Sequence, residues 1–160
     1  MHQARLDHVF FENESRSHLG ALLLRKGLVT NEDLDRALAE KQTGELLGEA
    51  LCRLRFCFEN DVARVLAEQA NVDFVDIGVT SVDHRAAQLL SRPEAERLRA
   101  IPLRLHPDGS VSVAVADPTD EGLLADLKGA LPGYRLRLLV ATLSDLRASW
   151  DAAYPSSEER

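Results

Sequence analysis

A stretch of 24 residues near the N-terminus occurs twice, 28 positions apart. A tandem repeat of that length restricts the fold to stacked copies of one small supersecondary unit. Residues 18–41 read HLGALLLRKGLVTNEDLDRALAEK, and residues 46–69 read LLGEALCRLRFCFENDVARVLAEQ. Nine of the 24 aligned positions are identical: Leu19/Leu47, Gly20/Gly48, Leu23/Leu51, Arg25/Arg53, Asp33/Asp61, Arg36/Arg64, Leu38/Leu66, Ala39/Ala67 and Glu40/Glu68. Val29/Cys57, Leu34/Val62 and Ala37/Val65 differ but stay apolar.

Each copy reads as a short helix, a turn and a second helix. Leu19, Leu22, Leu23 and Lys26 follow helical spacing, and Gly27 supplies a left-handed residue to end that helix. Thr30, followed by Asn31-Glu32-Asp33, caps the next helix, whose apolar face is Leu34, Ala37 and Leu38 with Lys41 beyond. The second copy repeats this plan, its second helix starting near Phe58-Glu59-Asn60. Two stacked hairpins make a four-helix unit.

From residue 71 the hydrophobic period changes. Asp73–Ile77 is a short extended segment, Ser81 is expected to cap a helix over 82–90, and Pro93 stands at the start of another over 93–99. Residues 101–106 and 110–116 form a hairpin around Pro107-Asp108-Gly109. A helix opens after Asp117-Pro-Thr-Asp120, Pro132-Gly133 turns into a strand over 134–140, and Thr142 caps a last helix to about Tyr154. The expected fold is α+β. An N-terminal arm (1–16) precedes a tandem helical-hairpin subdomain (17–70), a small α/β sandwich (71–154) and a tail (155–160), the two subdomains packing separately and joining near 70–72.

Several functions are excluded by what the sequence lacks. No G-x-x-x-x-G-K-[ST] stretch is present to cradle a triphosphate, nor G-x-G-x-x-G, G-x-S-x-G or H-E-x-x-H. The three lysines, Lys26, Lys41 and Lys128, follow no glycine-rich turn. The chain is therefore expected not to be an enzyme. A net charge of −7 opposes a nucleic-acid partner, since phosphate binding needs a positive field. No apolar run approaches membrane-spanning length, and the N-terminus has no signal-peptide core. The expectation is a cytoplasmic protein without direct membrane insertion.

The five histidines, His2, His8, His18, His84 and His106, are scattered, and no metal site or resident cofactor is expected. Cys52 and Cys57 fall at apolar positions of the repeat and read as small buried hydrophobes, with metal or redox chemistry as the alternative. The alternating charges of 92–99 read as a solvated helix face with i,i+4 pairs, and Arg135 and Arg137 as an outward strand face. Asp117 and Asp120 read as caps of a helix start, with a metal site as the alternative, and Trp150 as core closure, with an interface as the alternative.

The segments LGALLLRKGLVTNEDLDRALAE, TGELLGEAL, LAEQANVDFVDI and RAIPLRLHPDGSVSVAVADPTD, in this order, resemble the N-terminal (MshEN) domain of bacterial type II secretion and type IV pilus assembly ATPases over about 17–154. The resemblance implies a regulatory or protein-docking module. Its partner would be an inner-membrane platform protein or an ATPase core, with the module peripheral to the membrane through that partner. In one branch of the family the tandem motif binds cyclic di-GMP, the alternative function here.

That family motif begins Arg-Leu-Gly, has a central Gly and ends in Gln. Its counterparts are His18, Leu19, Gly20, Gly27 and Lys41 in the first copy, and Leu46, Leu47, Gly48, Arg55 and Gln69 in the second. Leu34, Leu38, Val62 and Leu66 would supply an apolar floor. A missing Cβ at Gly20 and Gly48 would let a base or phosphate approach the backbone. Both leading arginines are replaced, by His18 and Leu46, and the first Gln by Lys41. The substitutions remove planar forks suited to phosphate and guanine edges.

Overall fold

A computed structural model describes residues 19–78 and 81–154. The expected arm, the tail and His18 lie outside the described residues. The fold is α+β, with two compact units, Met1–Val65 and Leu66–Arg160. The division falls within one helix, and the expected joint at 70–72 lies at that helix's C-terminal end.

In the first unit, helix α1 covers residues 19–25, α2 is Asn31–Glu40, α3 is Leu47–Arg53 and α4 is Glu59–Ala70, the last running on into the second unit. The repeat is obeyed bond for bond. Gly27 N–H donates to Leu24 C=O and Leu28 N–H to Leu23 C=O, at 3.0 and 2.9 Å. Twenty-eight residues on, Arg55 N–H donates to Cys52 C=O and Phe56 N–H to Leu51 C=O, at 3.1 and 2.9 Å. Both turns are Schellman closures, which need a left-handed residue after the helix. Gly27 takes it at φ 71° and Arg55 at φ 64°, the latter against the steric preference of a side chain.

The copies part company at the helix start. Thr30 caps α2 with its hydroxyl on the Asp33 N–H, while the Asp33 carboxylate accepts from the Thr30 N–H, a complete capping box. Phe58 occupies the equivalent place before α4 and has no side-chain oxygen to offer. Its ring is 79% exposed, so it is held by little packing. The end of α4 closes as the turns do: Asn71, at φ 54°, donates to Glu68 C=O and Val72 N–H to Ala67 C=O.

The second unit is built on a four-stranded sheet of order β1-β4-β3-β2, with β1 Asp73–Phe74, β2 Ala100–Leu105, β3 Ser110–Val115 and β4 Arg135–Val140. The β2–β3 hairpin is antiparallel. The β3–β4 and β1–β4 pairs are parallel and need longer crossovers. Helix α7 (Glu121–Ala130), capped by Asp120, makes the first crossover. Pro102 is tolerated because β2 is an edge strand. Helices α5 (His84–Ala87), α6 (Arg92–Leu98) and α8 (Leu143–Ala153) all pack against β2.

The core gathers Leu90, Leu98, Ile101, Val111, Val113, Val115, Leu127 and Leu146. Trp150 closes it and donates its indole N–H to Ala100 C=O at 2.9 Å, while the Tyr154 hydroxyl donates to Ala87 C=O at 2.6 Å. Asp108 pins the hairpin turn. It accepts from the Ser110 hydroxyl and N–H at 2.6 and 2.9 Å and from Arg137 at 2.6 Å, with Arg135 at 3.4 Å. Those bonds, the Ser110 hydroxyl's first, hold the Asp108 carboxyl well below the usual carboxylate range.

One expectation needed correction. The helix expected over 82–90 with Ser81 as cap is the single turn of α5, capped by Asp83, whose carboxylate accepts from the Arg85 N–H. The Asp83 N–H is tied to Leu103 C=O of β2, which fixes the entry there. Leu89 and Leu90 bond three residues back to Ala86 and Ala87, tightening the chain before Ser91 caps α6. The charged face of 92–99 carries the expected i,i+4 pairing and a link to a second helix besides. Arg92 pairs with Glu96 and also reaches the Asp151 carboxylate at 2.6 Å and Tyr154 C=O at 2.9 Å, joining α6 to α8.

The asymmetry of the two helix starts yields a test. Phe58→Thr restores the capping oxygen opposite Asp61, which stands where Asp33 completes the first box. It is expected to stabilise the chain by about 1 kcal/mol, read as a raised urea midpoint in circular dichroism. An unchanged or lowered midpoint would show that the exposed ring, not the cap, matters at this position.

Candidate functional site

Six of the tandem motif residues, Leu19, Gly20, Leu34, Leu47, Gly48 and Val62, meet through reciprocal contacts between the copies. A Cβ on Gly48 would stand 2.7 Å from Val62 Cγ1 and 3.7 Å from Leu19 Cδ2. A Cβ on Gly20 would stand 3.4 Å from Leu34 Cδ1 and 3.9 Å from Leu47 Cδ2. Leu34 corresponds to Val62 twenty-eight residues on, and Leu47 to Leu19 twenty-eight residues back, so the two contacts are the same with the copies exchanged. Each copy's leucine therefore lies against the other copy's glycine, and each glycine receives an apolar side chain from the second helix of its own hairpin. The backbones come close because the intervening Cβ is missing.

This geometry gives the glycines a packing duty, the alternative to an open approach for a ligand. At Gly48 the neighbour is already too near for any side chain, so its immediate occupant is Val62 rather than open space. Gly20 is less crowded. Leu19, Leu47, Val62 and Leu66 are buried, Leu34 is half-buried, and Leu38 and Leu46 remain 42% and 39% exposed. The apolar surface left open by the motif is thus Leu38 and Leu46, one at the end of α2 and one just before α3.

The polar positions are occupied by contacts within the repeat. Lys41 Nζ donates to Glu45 C=O at 2.9 Å, directing the ammonium into the linker between copies. The Glu45 carboxylate accepts from Arg53 Nε at 2.8 Å and Nη2 at 3.0 Å, a two-pronged pair, and Arg53 Nη2 also reaches Glu40 C=O at 3.0 Å. The Arg53 bond is the main reason the Glu45 carboxyl sits below its ordinary value. Glu49 accepts from the Leu46 N–H at 3.2 Å and closes the start of α3. This Glu45–Arg53 clasp was not foreseen. The repetition of Arg25 at Arg53 was the only signal, and it does not name Glu45 as partner.

Gln69, near the end of α4, carries a buried side-chain carbonyl oxygen without a hydrogen-bond partner among the described residues. An orphaned acceptor of this kind costs about 1–3 kcal/mol. Among the described residues it is the buried side-chain polar atom left without a partner. No group of three or more metal-ligating side chains occurs among the described residues, and Asp117 and Asp120 serve turns: Asp117 accepts from Thr119, and Asp120 caps α7.

Residues 70–160 match the model of the MshEN domain. The chain belongs to the MshEN family. The type IV pilus assembly ATPase PilB of Thermus thermophilus is 38% identical over 118 residues, spanning 72% of this chain but only 13% of that ATPase. A solved structure of MshE with cdg superposes at a TM-score of 0.72 with 33% identity, covering 85% of this chain and 98% of that one. That share exceeds the segment matched by the family model, so the likeness takes in part of residues 1–69. The N-terminal domain of XpsE superposes at 0.74 with 25% identity, covering 86% and 94%. The MshEN fold here thus carries the tandem motif in a form whose glycines are packed and whose lysine is tethered.

The two glycines are expected to respond differently to the same change. Gly48→Ala should cost about 1–3 kcal/mol through overpacking against Val62, with much of it recovered in the Gly48→Ala, Val62→Ala double variant. Gly20→Ala meets a flexible leucine tip and gains helix propensity, so its effect should stay within about 1 kcal/mol of neutral. Urea unfolding of the four proteins checks this, and equal effects at both glycines would contradict the close approach at Gly48.

Proposed function

We propose that this MshEN chain is a non-catalytic regulatory module of a bacterial type II secretion or type IV pilus system. It acts by docking on a protein of that machine, the cytoplasmic part of an inner-membrane platform protein or the core of an assembly ATPase. The observation that carries this reading is the extent of the structural match: 94% of a domain that is itself the N-terminal domain of XpsE, and 13% of the PilB ATPase. The shared part is a module attached to a motor. The sequence offers no phosphate-cradling loop of its own, which supports a role without turnover. No helix among the described residues is long and apolar enough to cross a membrane. The module would work on the cytoplasmic face and reach the membrane through its partner.

Titrating the purified chain with the platform protein's cytoplasmic segment and, separately, with the ATPase core from the same organism tests the docking. Saturable binding to one of them is expected. Binding to neither, with both partners folded, would sink the reading.

A second reading, a cyclic di-GMP receptor, is favoured by the reciprocal contacts between the repeats. Cyclic di-GMP is a two-fold symmetric ring with two guanines and two phosphates, and MshE, 33% identical to this chain, has a structure with cdg. In that reading Leu34, Leu38, Val62 and Leu66 form an apolar floor, and Leu19-Gly20 and Leu47-Gly48 offer backbone. The orphaned Gln69 oxygen is an acceptor suited to a guanine N–H. The remaining positions, His18, Lys41 and Leu46, lack the arginine forks and first glutamine of the family motif, and the Lys41 ammonium is already held by Glu45.

Weak binding is expected from the unaltered chain. The triple change His18→Arg, Leu46→Arg, Lys41→Gln should raise affinity tenfold or more, since each charge-assisted contact contributes about 1.5–3 kcal/mol at best. Calorimetry decides. Tight binding by the unaltered chain would show that floor and backbone suffice, and no binding by either form would leave the repeat as scaffold for docking.

A further inference from the structure

Cys52 and Cys57 are the chain's two cysteines, and the fold places them together. Their sulfurs lie 4.0 Å apart, both half-buried. The proximity is built by the backbone. Cys52 is in the last turn of α3, its C=O accepts the Arg55 N–H of the left-handed turn, and Cys57 follows directly on the Phe56–Leu51 bond that completes the turn. The first copy makes the same turn with Leu24 and Val29 at the equivalent positions. The geometry therefore belongs to the repeat, and the paired thiols belong only to the second copy. Full burial, expected of small core hydrophobes, is not what these side chains have.

The hydrogen bond between the two sulfurs holds the Cys57 thiol below its ordinary value, while half-burial and the carboxylates of Asp61 and Asp33 oppose this. Cys52 is pushed up, first by the same bond and then by burial, with Glu59 and Asp61 adding to it. Either sulfur can donate in that bond, so either can attack while the other resolves. A metal reading finds no third ligand among the described residues.

We propose that Cys52 and Cys57 are a reversible dithiol–disulfide site whose substrate is a small neutral disulfide. One thiol of the pair loses its proton to solvent, and its thiolate attacks one sulfur of the reagent, forming a mixed disulfide and expelling one thiolate, which takes up a proton. The other thiol then gives its proton to solvent and attacks the protein sulfur of the mixed disulfide, forming the Cys52–Cys57 bond and expelling the second thiolate, which also takes up a proton. Two protein thiols are oxidised and one reagent disulfide is reduced to two thiols. The sulfurs have to close from 4.0 Å to a bond of about 2.05 Å. The acidic surroundings favour a neutral reagent over an anionic one such as glutathione disulfide. The bond would clamp α3 to the start of α4, the hairpin that carries Leu47, Gly48 and Val62.

The test uses the full chain in buffers of bis(2-hydroxyethyl) disulfide and 2-mercaptoethanol, quenched in acid, alkylated with iodoacetamide and weighed by mass spectrometry. The expected product is a monomer that has lost two hydrogens, takes no alkyl group and returns to the dithiol with dithiothreitol. Cys52→Ser should stop at a mixed disulfide of Cys57 with mercaptoethanol, and glutathione disulfide should react more slowly than the neutral reagent. Two alkylated thiols after full exposure, a mercaptoethanol adduct on each cysteine of the unaltered chain, or a cross-link between chains would overturn the proposal. The unaltered chain decides this outcome whether or not the serine variant folds.

Discussion

Helices can cross closely only where no side chain stands between their backbones, and the first unit depends on two such places. Gly48 lies so near Val62 that a single added methyl would sit 2.7 Å from its Cγ1, and Leu19 covers the same spot from the other copy. Gly20, with Leu34 and Leu47, is the looser mirror of that contact. Because each leucine–glycine pair faces its counterpart, the unit is built by matching one small shape twice. A 24-residue segment that cannot bury its apolar face alone is satisfied by its own copy.

The reciprocal contact has consequences for the motif's chemistry. Two positions of the tandem motif are engaged by the protein itself, Lys41 by Glu45 and the Gly48 face by Val62, and Arg53 beside them is held by Glu45 and Glu40. What remains open in the motif is apolar, Leu38 and Leu46. A surface of that kind suits docking of a protein segment as readily as stacking of a base. It also explains why loss of the two arginine forks weighs on the nucleotide reading and leaves the docking reading untouched.

The second unit answers a different constraint. Its sheet places β3, buried along its whole length, between a parallel and an antiparallel neighbour. The hairpin turn must therefore hold without slack, and Asp108 supplies this with Ser110, Arg135 and Arg137. The face opposite the valines of β3 aligns Arg104, Ser112 and Arg137 across three strands, and Ser112 bonds His106 at 2.6 Å. On the helical side, Arg92 and Trp150 fasten α6, α8 and β2 to one another through carbonyls and a carboxylate.

Whatever is decided within a few residues along the chain was legible in the sequence. The repeat, the turn at Gly27, the capping box of Thr30 and Asp33, the hairpin at 107–109 and the caps Asp120 and Thr142 all rest on hydrogen bonds between near neighbours, so composition and spacing suffice. The family was legible for the same reason, since its motifs are such local strings. The Ser81 expectation failed because the bond that fixes Asp83 comes from Leu103, twenty positions away. Only the tertiary structure decided why position 48 must be glycine, which carboxylate holds Arg53, which strands are neighbours, and that two cysteines in one copy of a turn bring their sulfurs to 4.0 Å. Each of these is a distance between groups, and a linear pattern sets such distances only after the helices have packed.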